Sequence, residues 1–163
     1  MARRVMGWVL ILFTLALVGC DHATKAVAQA ALERRGPLSI VPGVLDLRYA
    51  ENRDMAFSLL RGIQSPAKVA VLLVCSMIVL GVVLLGWWSS RRASVTEQAG
   101  YALIVAGAIG NAIDRGVRGY VIDFIHLHRW PVFNVADIAI VAGGILLGIA
   151  MFRRARQEPR EVS

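Results

Sequence analysis

Polar sequence is what this chain has too little of. Charged residues make up only 18% of its 163 positions, 57% are hydrophobic, and the mean hydropathy is +0.62. A soluble domain of this length keeps a polar coat around one core, and there is not enough polar sequence here to make one. Cysteine is scarce as well. Cys20 and Cys75 both lie in apolar runs and in no CxxC or comparable spacing, which excludes a disulfide framework and a cysteine-built metal site. There is no HExxH, no GxSxG and no Ser–Lys arrangement, so zinc-protease and serine-hydrolase chemistry have no footing. His126-Leu-His128 with one nearby loop acid does not amount to a metal site, and neither a metal nor another cofactor is expected. Internal repeats are absent, as is low-complexity sequence before the charged tail.

What the chain has instead is long apolar runs, at Val5–Cys20, Val69–Trp88, Ala99–Ile113 and Ile138–Phe152. Such runs read as membrane spans when they approach about 20 residues. The third and fourth are short, and they reach across only if their polar ends, near Asn111 and Asp137, sit in the interface. The expectation is an all-α membrane protein forming one integral membrane domain over residues 1–163. It has four transmembrane helices, at about 5–20, 69–88, 99–113 and 138–152. An outer loop covers 21–67 and a cytoplasmic tail 153–163. Within the loop, Leu38–Val41 and Val44–Tyr49 flank Pro42-Gly43 and read as two short strands around a turn, a small β-rich region outside the cytoplasm. Small residues spaced four apart, Ala106 with Gly110 and Gly144 with Gly148, are candidates for close helix packing.

The net charge of +7 does not point to nucleic acid, because the basic residues flank apolar segments. Arg3 and Arg4, then Arg91 and Arg92, then Arg153, Arg154, Arg156 and Arg160 fall on one side if the chain crosses four times. Both termini are therefore expected in the cytoplasm, with the basic ends on anionic lipid. Arg3-Arg4, an apolar run and Leu17-Val-Gly-Cys20 imitate a lipoprotein signal peptide. Three further spans argue for an uncleaved first helix instead.

Five polar groups stand at helix ends or beside them, where charge is costly unless solvated or partnered. Asp21-His-Ala-Thr-Lys25 follows the first run, its acid and base four apart in the favourable order for a helical ion pair. Glu51-Asn52-Arg53-Asp54-Met55-Ala56-Phe57 follows the strands and, alone, is an ordinary polar loop. Gly110-Asn111-Ala-Ile-Asp114-Arg115 ends the third run, with Asn111 and Asp114 on one face and Arg115 free to pair with Asp114 or reach a phosphate or carbonyl. Val121-Ile-Asp123-Phe124 sets a carboxylate between apolar residues in a short loop. Phe133-Asn134-Val-Ala-Asp137 opens the fourth run, with Asn134 as N-cap and Asp137 in the first turn, where the helix dipole favours an acid.

Together, in this order, the five groups resemble the lipoprotein signal peptidase (signal peptidase II) family, whose pattern is D-x-x-T-K, N-x-G-x-A-F, G-N-x-x-D-R, V-x-D-F and F-N-x-A-D. The resemblance spans nearly the whole chain. It implies a bacterial inner-membrane aspartic endopeptidase. Such an enzyme cuts diacylglyceryl-modified prolipoproteins just before the modified cysteine, at the outer leaflet edge, as a monomer without a cofactor. It also implies that Asp123 and Asp137 are the catalytic pair. Asn52, Asn111, Arg115 and Asn134 would hold substrate or orient the carboxylates, and Asp21, Lys25 and Asp114 would brace the site. Two adjacent carboxylates suit the reaction independently, since they share a proton, one acting as base and the other as acid. Its helix-start position makes Asp137 the expected base. Asp54 departs from the family pattern, standing where glycine is usual, and the stretch between Asp123 and Asp137 is compact enough to narrow the entrance. The competing class is a small four-helix transporter subunit with proton-coupling carboxylates; it calls for acids within the spans, whereas here they gather at one edge.

Overall fold

The computed structural model describes residues 2–53, 66–90 and 94–157. The element order is α1 (Ala2–Arg35), β1 (Leu38–Val41), β2 (Leu45–Asn52), α2 (Pro66–Ser89), α3 (Val95–Arg118), β3 (Val121–Leu127) and α4 (Val135–Gln157). The three strands form one antiparallel sheet in the order β1-β2-β3.

Side chains are arranged as lipid would require. Trp8, Leu12 and Leu15 on α1, Val82 and Leu85 on α2, and Val141 and Met151 on α4 are all exposed. Among the described residues, three helical segments are long and apolar enough to cross a membrane: Val5–Arg35, Ala70–Ser89 and Val135–Arg156. The third run expected as a span, in α3, is not among them. The reason is its composition: Glu97, Gln98, Asn111, Asp114, Arg115 and Arg118 share 24 residues with the apolar ones. α3 packs against α1, α2 and α4, and a helix walled by protein can carry polar groups that a lipid-facing one cannot.

α3 and α4 approach closely. A Cβ on Gly107 would lie 2.3 Å from the Ala136 carbonyl oxygen, and one on Gly143 would lie 2.6 Å from the Gly100 carbonyl oxygen. Of the small-residue pairs anticipated from spacing, Ala106 is buried and Gly110 meets the Asp21 carboxylate. A Cβ on Gly144 or Gly148 would meet nothing within 4 Å, so the packing face of α4 is one residue away, at Gly143.

α1 continues without a break through Cys20 and 15 residues beyond it, so the polar stretch after the first apolar run is helical rather than loop. At 1.5 Å per residue the helix is roughly 50 Å long, more than the roughly 30 Å of a hydrocarbon core. Its far end carries Ala28 and Leu32, which form a small core with Phe124 of β3, flanked by Leu47, Tyr49, Ile125 and Val135. The sheet is thus fastened to α1. β1 and β2 turn at Gly43 (φ 73°), as the Pro-Gly pair requires.

The segment around Asp123, read from sequence as a short loop, is strand β3. Its β-branched and aromatic content, Val-Ile-Asp-Phe-Ile-His-Leu, is strand-like. Gly119, in left-handed conformation (φ 77°), ends α3 and turns the chain into it. Its partner is β2, about 70 residues earlier in sequence, which local reading could not supply. The fold is therefore helical with a three-stranded sheet, rather than helices with a two-stranded loop.

Candidate active site

Strand register places the first contacts. Asn52 lies opposite Val121, and Ala50 opposite Asp123, so Asn52 and Asp123 are diagonal neighbours on one face of the sheet. The Asn52 amide accordingly donates from Nδ2 to Asp123 Oδ2 at 2.9 Å.

The chain then doubles back. Beyond β3 it turns through Arg129 (φ 71°), and Phe133 bonds with Ile125 in both directions, at 2.8 and 3.0 Å. This delivers Asn134 to the side of Asp123 as α4 begins. Asn134 caps α4 reciprocally with Asp137: its Oδ1 accepts the Asp137 N–H at 3.0 Å, and its own N–H donates to Asp137 Oδ2 at 3.2 Å. With Oδ1 committed to the helix, Nδ2 points the other way, to Asp123 Oδ1 at 2.7 Å, Asn111 Oδ1 at 3.1 Å and the Ile122 carbonyl at 3.4 Å. Asn111 of α3 completes the ring by donating from Nδ2 to Asp137 Oδ1 at 2.8 Å.

Behind Asn111 lies an ion cluster. The Lys25 side chain is wholly buried, with Nζ 2.7 Å from Asp21 Oδ2, 2.8 Å from Asp114 Oδ2 and 3.2 Å from Asn111 Oδ1. Asp21 Oδ1 also accepts the Ala136 N–H at 2.9 Å, and Asp114 Oδ2 accepts the Ile122 N–H at 3.3 Å. Asp21 and Asp114 thereby tie α1 to α4 and α3 to β3. Arg118, not Arg115, pairs with Asp114. Residues one apart on a helix diverge by about 100°, whereas those four apart align. Arg115 instead donates from one terminal nitrogen to the Asn111 carbonyl at 3.4 Å, and its Nε is buried without a hydrogen-bond partner among the described residues.

All nine residues singled out from sequence (Asp21, Lys25, Asn52, Asn111, Asp114, Arg115, Asp123, Asn134 and Asp137) fall in this one assembly, drawn from α1, β2, α3, β3 and α4. Asp54, at the position where glycine was expected, lies outside the described residues. Sequence reading missed Arg118 and the backbone N–H groups of Ile122 and Ala136; the i, i+4 spacing of Asp114 and Arg118 was the available clue to the first. His126 lies 3.8 Å from Asp46, and its ring centroid is 6.1 Å from that of His128. No group of three His, Cys, Asp or Glu side chains among the described residues is arranged to hold a metal.

Asp123 is 2% exposed. Burial, and next the charge of Asp137, push its carboxyl from 3.8 up to about 7, against the opposing pull of the Asn52 and Asn134 amides and of Lys25. Asp123 therefore holds its proton to near neutrality beside a second carboxyl group, an arrangement able to give and take protons at one point.

The family model described as signal peptidase (SPase) II matches residues 13–153. The lipoprotein signal peptidase of Syntrophomonas wolfei is 40% identical over 90% of this chain and 94% of its own length. Those of Haemophilus ducreyi and Xylella fastidiosa are 37% and 36% identical, covering 85% and 92% of this chain and 88% and 92% of their own. A solved bacterial membrane enzyme structure at 2.3 Å resolution superposes with a TM-score of 0.75 over 95% of this chain and 94% of that one, at 25% identity. With a matching model over most of its length and relatives of this similarity, the chain belongs to the signal peptidase II family.

Proposed function

We propose that this lipoprotein signal peptidase works as an aspartic protease through Asp123 and Asp137. The bond it cuts is the one before a diacylglyceryl-modified cysteine. The observation that carries the reading is the amide bridge between two carboxyl groups from different elements. Asn134 donates to Asp123 from its side chain and to Asp137 from its backbone, while Asn111 and Asn52 hold the outer oxygens.

In the proposed reaction Asp137, at the start of α4, is the carboxylate that takes a proton from water. Asp123, protonated near neutrality, donates a hydrogen bond to the scissile carbonyl as the water oxygen attacks. Collapse of the tetrahedral intermediate passes a proton to the leaving nitrogen, breaks the C–N bond and returns the pair to one shared proton. Arg115, whose buried Nε has no hydrogen-bond partner among the described residues, would donate to a substrate carbonyl, and Asn52 and Asn111 would orient the carboxylates. Asp21, Lys25 and Asp114 hold α1, α3, β3 and α4 together beneath them.

We read α3 as a fourth membrane crossing, sheltered by the other helices. Both termini are then in the cytoplasm and the sheet lies on the outer face of the bacterial inner membrane. The protein acts as a monomer. The lipid on the substrate cysteine stays in the bilayer while its peptide bond meets the site at the edge.

The test is purified protein acting on a prolipoprotein peptide, with and without S-diacylglyceryl modification, followed by mass spectrometry. Release of a fragment that begins with the lipidated cysteine is expected from the modified peptide alone. Cleavage elsewhere, or equal cleavage of the unmodified peptide, would remove the reading.

A further inference from the structure

The two site amides face a particular way, and the groups that fix them are separate. Asn134 is oriented by the Asp137 N–H, a backbone donor, which must meet its Oδ1. Asn111 has no such neighbour on its own helix. The atom facing its Oδ1 from behind is Lys25 Nζ, at 3.2 Å. An ammonium has three protons and no acceptor. Here Nζ is ion-paired with Asp21 and Asp114 and donates a hydrogen bond to Asn111 Oδ1, in a side chain with no solvent exposure. Asn111 can satisfy Lys25 only with its oxygen, which commits its Nδ2 to Asp137 Oδ1 at 2.8 Å. The same oxygen receives Asn134 Nδ2, so the lock extends to the amide that reaches Asp123.

We infer that Lys25 is a positioning residue for the cleavage reaction: by holding the Asn111 amide in one orientation it keeps an N–H, rather than a carbonyl, on Asp137. This rests on the reading of Asp123 and Asp137 as the catalytic pair. An Asn111 turned over would set its oxygen, rather than an N–H, against the carboxylate, which disfavours the ionised state of the pair as a unit and with it the form that accepts a proton from water.

Charged and titratable groups surround the amide on every element packed here. From α1 come Asp21 and His22, whose Nδ1 is 3.8 Å from Asp21 and Nε2 3.9 Å from Asp114. α3 contributes Asp114, Arg115 and Arg118, β3 Asp123 and α4 Asp137. Removing Lys25 alone would leave the buried cluster one positive charge short. Lys25→Met combined with Asp21→Asn restores the balance, and the asparagine oxygen still accepts the Ala136 N–H. The double variant therefore deletes the amide lock while keeping charge and the α1–α4 tie.

The experiment compares wild type, Lys25→Met/Asp21→Asn, Asp21→Asn, Asp123→Asn and Asp137→Asn on a lipidated prolipoprotein peptide, at matched amounts of folded protein and across pH. The double variant is expected to lose roughly 10-fold or more in kcat with little change in KM. The ascending limb of its kcat profile, which reports the pair as a unit, should move to higher pH by about one unit. Asp21→Asn alone should keep the wild-type limb. A double variant that is folded and slower with the limb unmoved would overturn the inference, showing a scaffold role, and so would a wild-type kcat. Turnover by Asp123→Asn or Asp137→Asn at the wild-type rate would overturn the catalytic pair itself, a result separable from the other two.

Discussion

Asp123 makes the stability of this protein depend on pH in a direction opposite to that of most carboxylates. Its folded-state value of about 7 lies above the 3.8 of an unfolded chain. Between those values the folded protein binds a proton that the unfolded chain has released. Stability is therefore full below about pH 4 and falls as pH rises through 7. The interval corresponds to about 4 kcal/mol. Asp123→Asn removes the titration. It also faces one amide N–H₂ with another, because Asn52 and Asn134 both donate to Asp123. That costs about 1–3 kcal/mol, but equally at every pH. The quantity to measure is thus the difference between wild type and variant across pH, not either one alone. Thermal unfolding in detergent micelles from pH 4 to 9 should show wild type losing about 4 kcal/mol against Asp123→Asn. For a chain of this length that is roughly 10 °C in Tm. A difference independent of pH would refute the argument that Asp123 is held protonated by burial and by its neighbour. So would a difference of the opposite sign.

Three other outcomes follow from the packing and the charge pattern. Gly107→Ala must push Ala136 away and move the start of α4, so it should cost about 1–3 kcal/mol and slow turnover, whereas Gly144→Ala, with nothing within 4 Å, should stay within about 0.5 kcal/mol of wild type in the same unfolding assay. Reporter fusions after Arg92 and after Arg156 should read cytoplasmic and one at Gly62 outside; a cytoplasmic signal at Gly62 would place the sheet and both aspartates on the wrong face. Asp54→Gly should fold and remain active, with altered substrate affinity at most, in a KM and kcat comparison; a folded but inactive variant would give this acid a role in binding or chemistry.

The strongest sequence signals were those that act locally. The Pro42-Gly43 turn and the strands on either side of it appear as read, although the second runs to Asn52, three residues past Tyr49. The cap at Asn134 forms with Asp137 because both partners lie within one helical turn. The Asp21–Lys25 pair forms for the same reason. What escaped was set at a distance. β3 exists because a strand about 70 residues earlier pairs with it, and no periodicity within 121–127 reveals that partner. The end of α1 was misjudged because polarity after Cys20 looked like the close of a span, while a helix can leave the apolar layer and continue, held by Leu32 and Ala28 against Phe124. The packing glycine of α4 was placed one residue off, since spacing gives a face only when the partner helix is known. The lock on Asn111 depends on which atom of an amide meets a buried ammonium, and that is set by the packing of α1 against α3 rather than by any local pattern.

The central claim is that two carboxyl groups, Asp123 and Asp137, act as one unit, and the most direct measurement is cleavage of a lipidated prolipoprotein peptide by the corresponding amides. An asparagine keeps the shape of the site but cannot exchange the proton the reaction needs. Asp123→Asn and Asp137→Asn, folded and membrane-inserted, should each lower kcat/KM by roughly 10³-fold or more. The double variant should be little worse than either single one, because groups acting together are lost together. Asp114→Asn, which weakens the hold on Lys25 and Arg118 but leaves both catalytic carboxyl groups present, should reduce stability or turnover without abolishing it. Full activity in Asp123→Asn with none in Asp114→Asn would contradict the account and move the catalytic pair to Asp114 and Asp137.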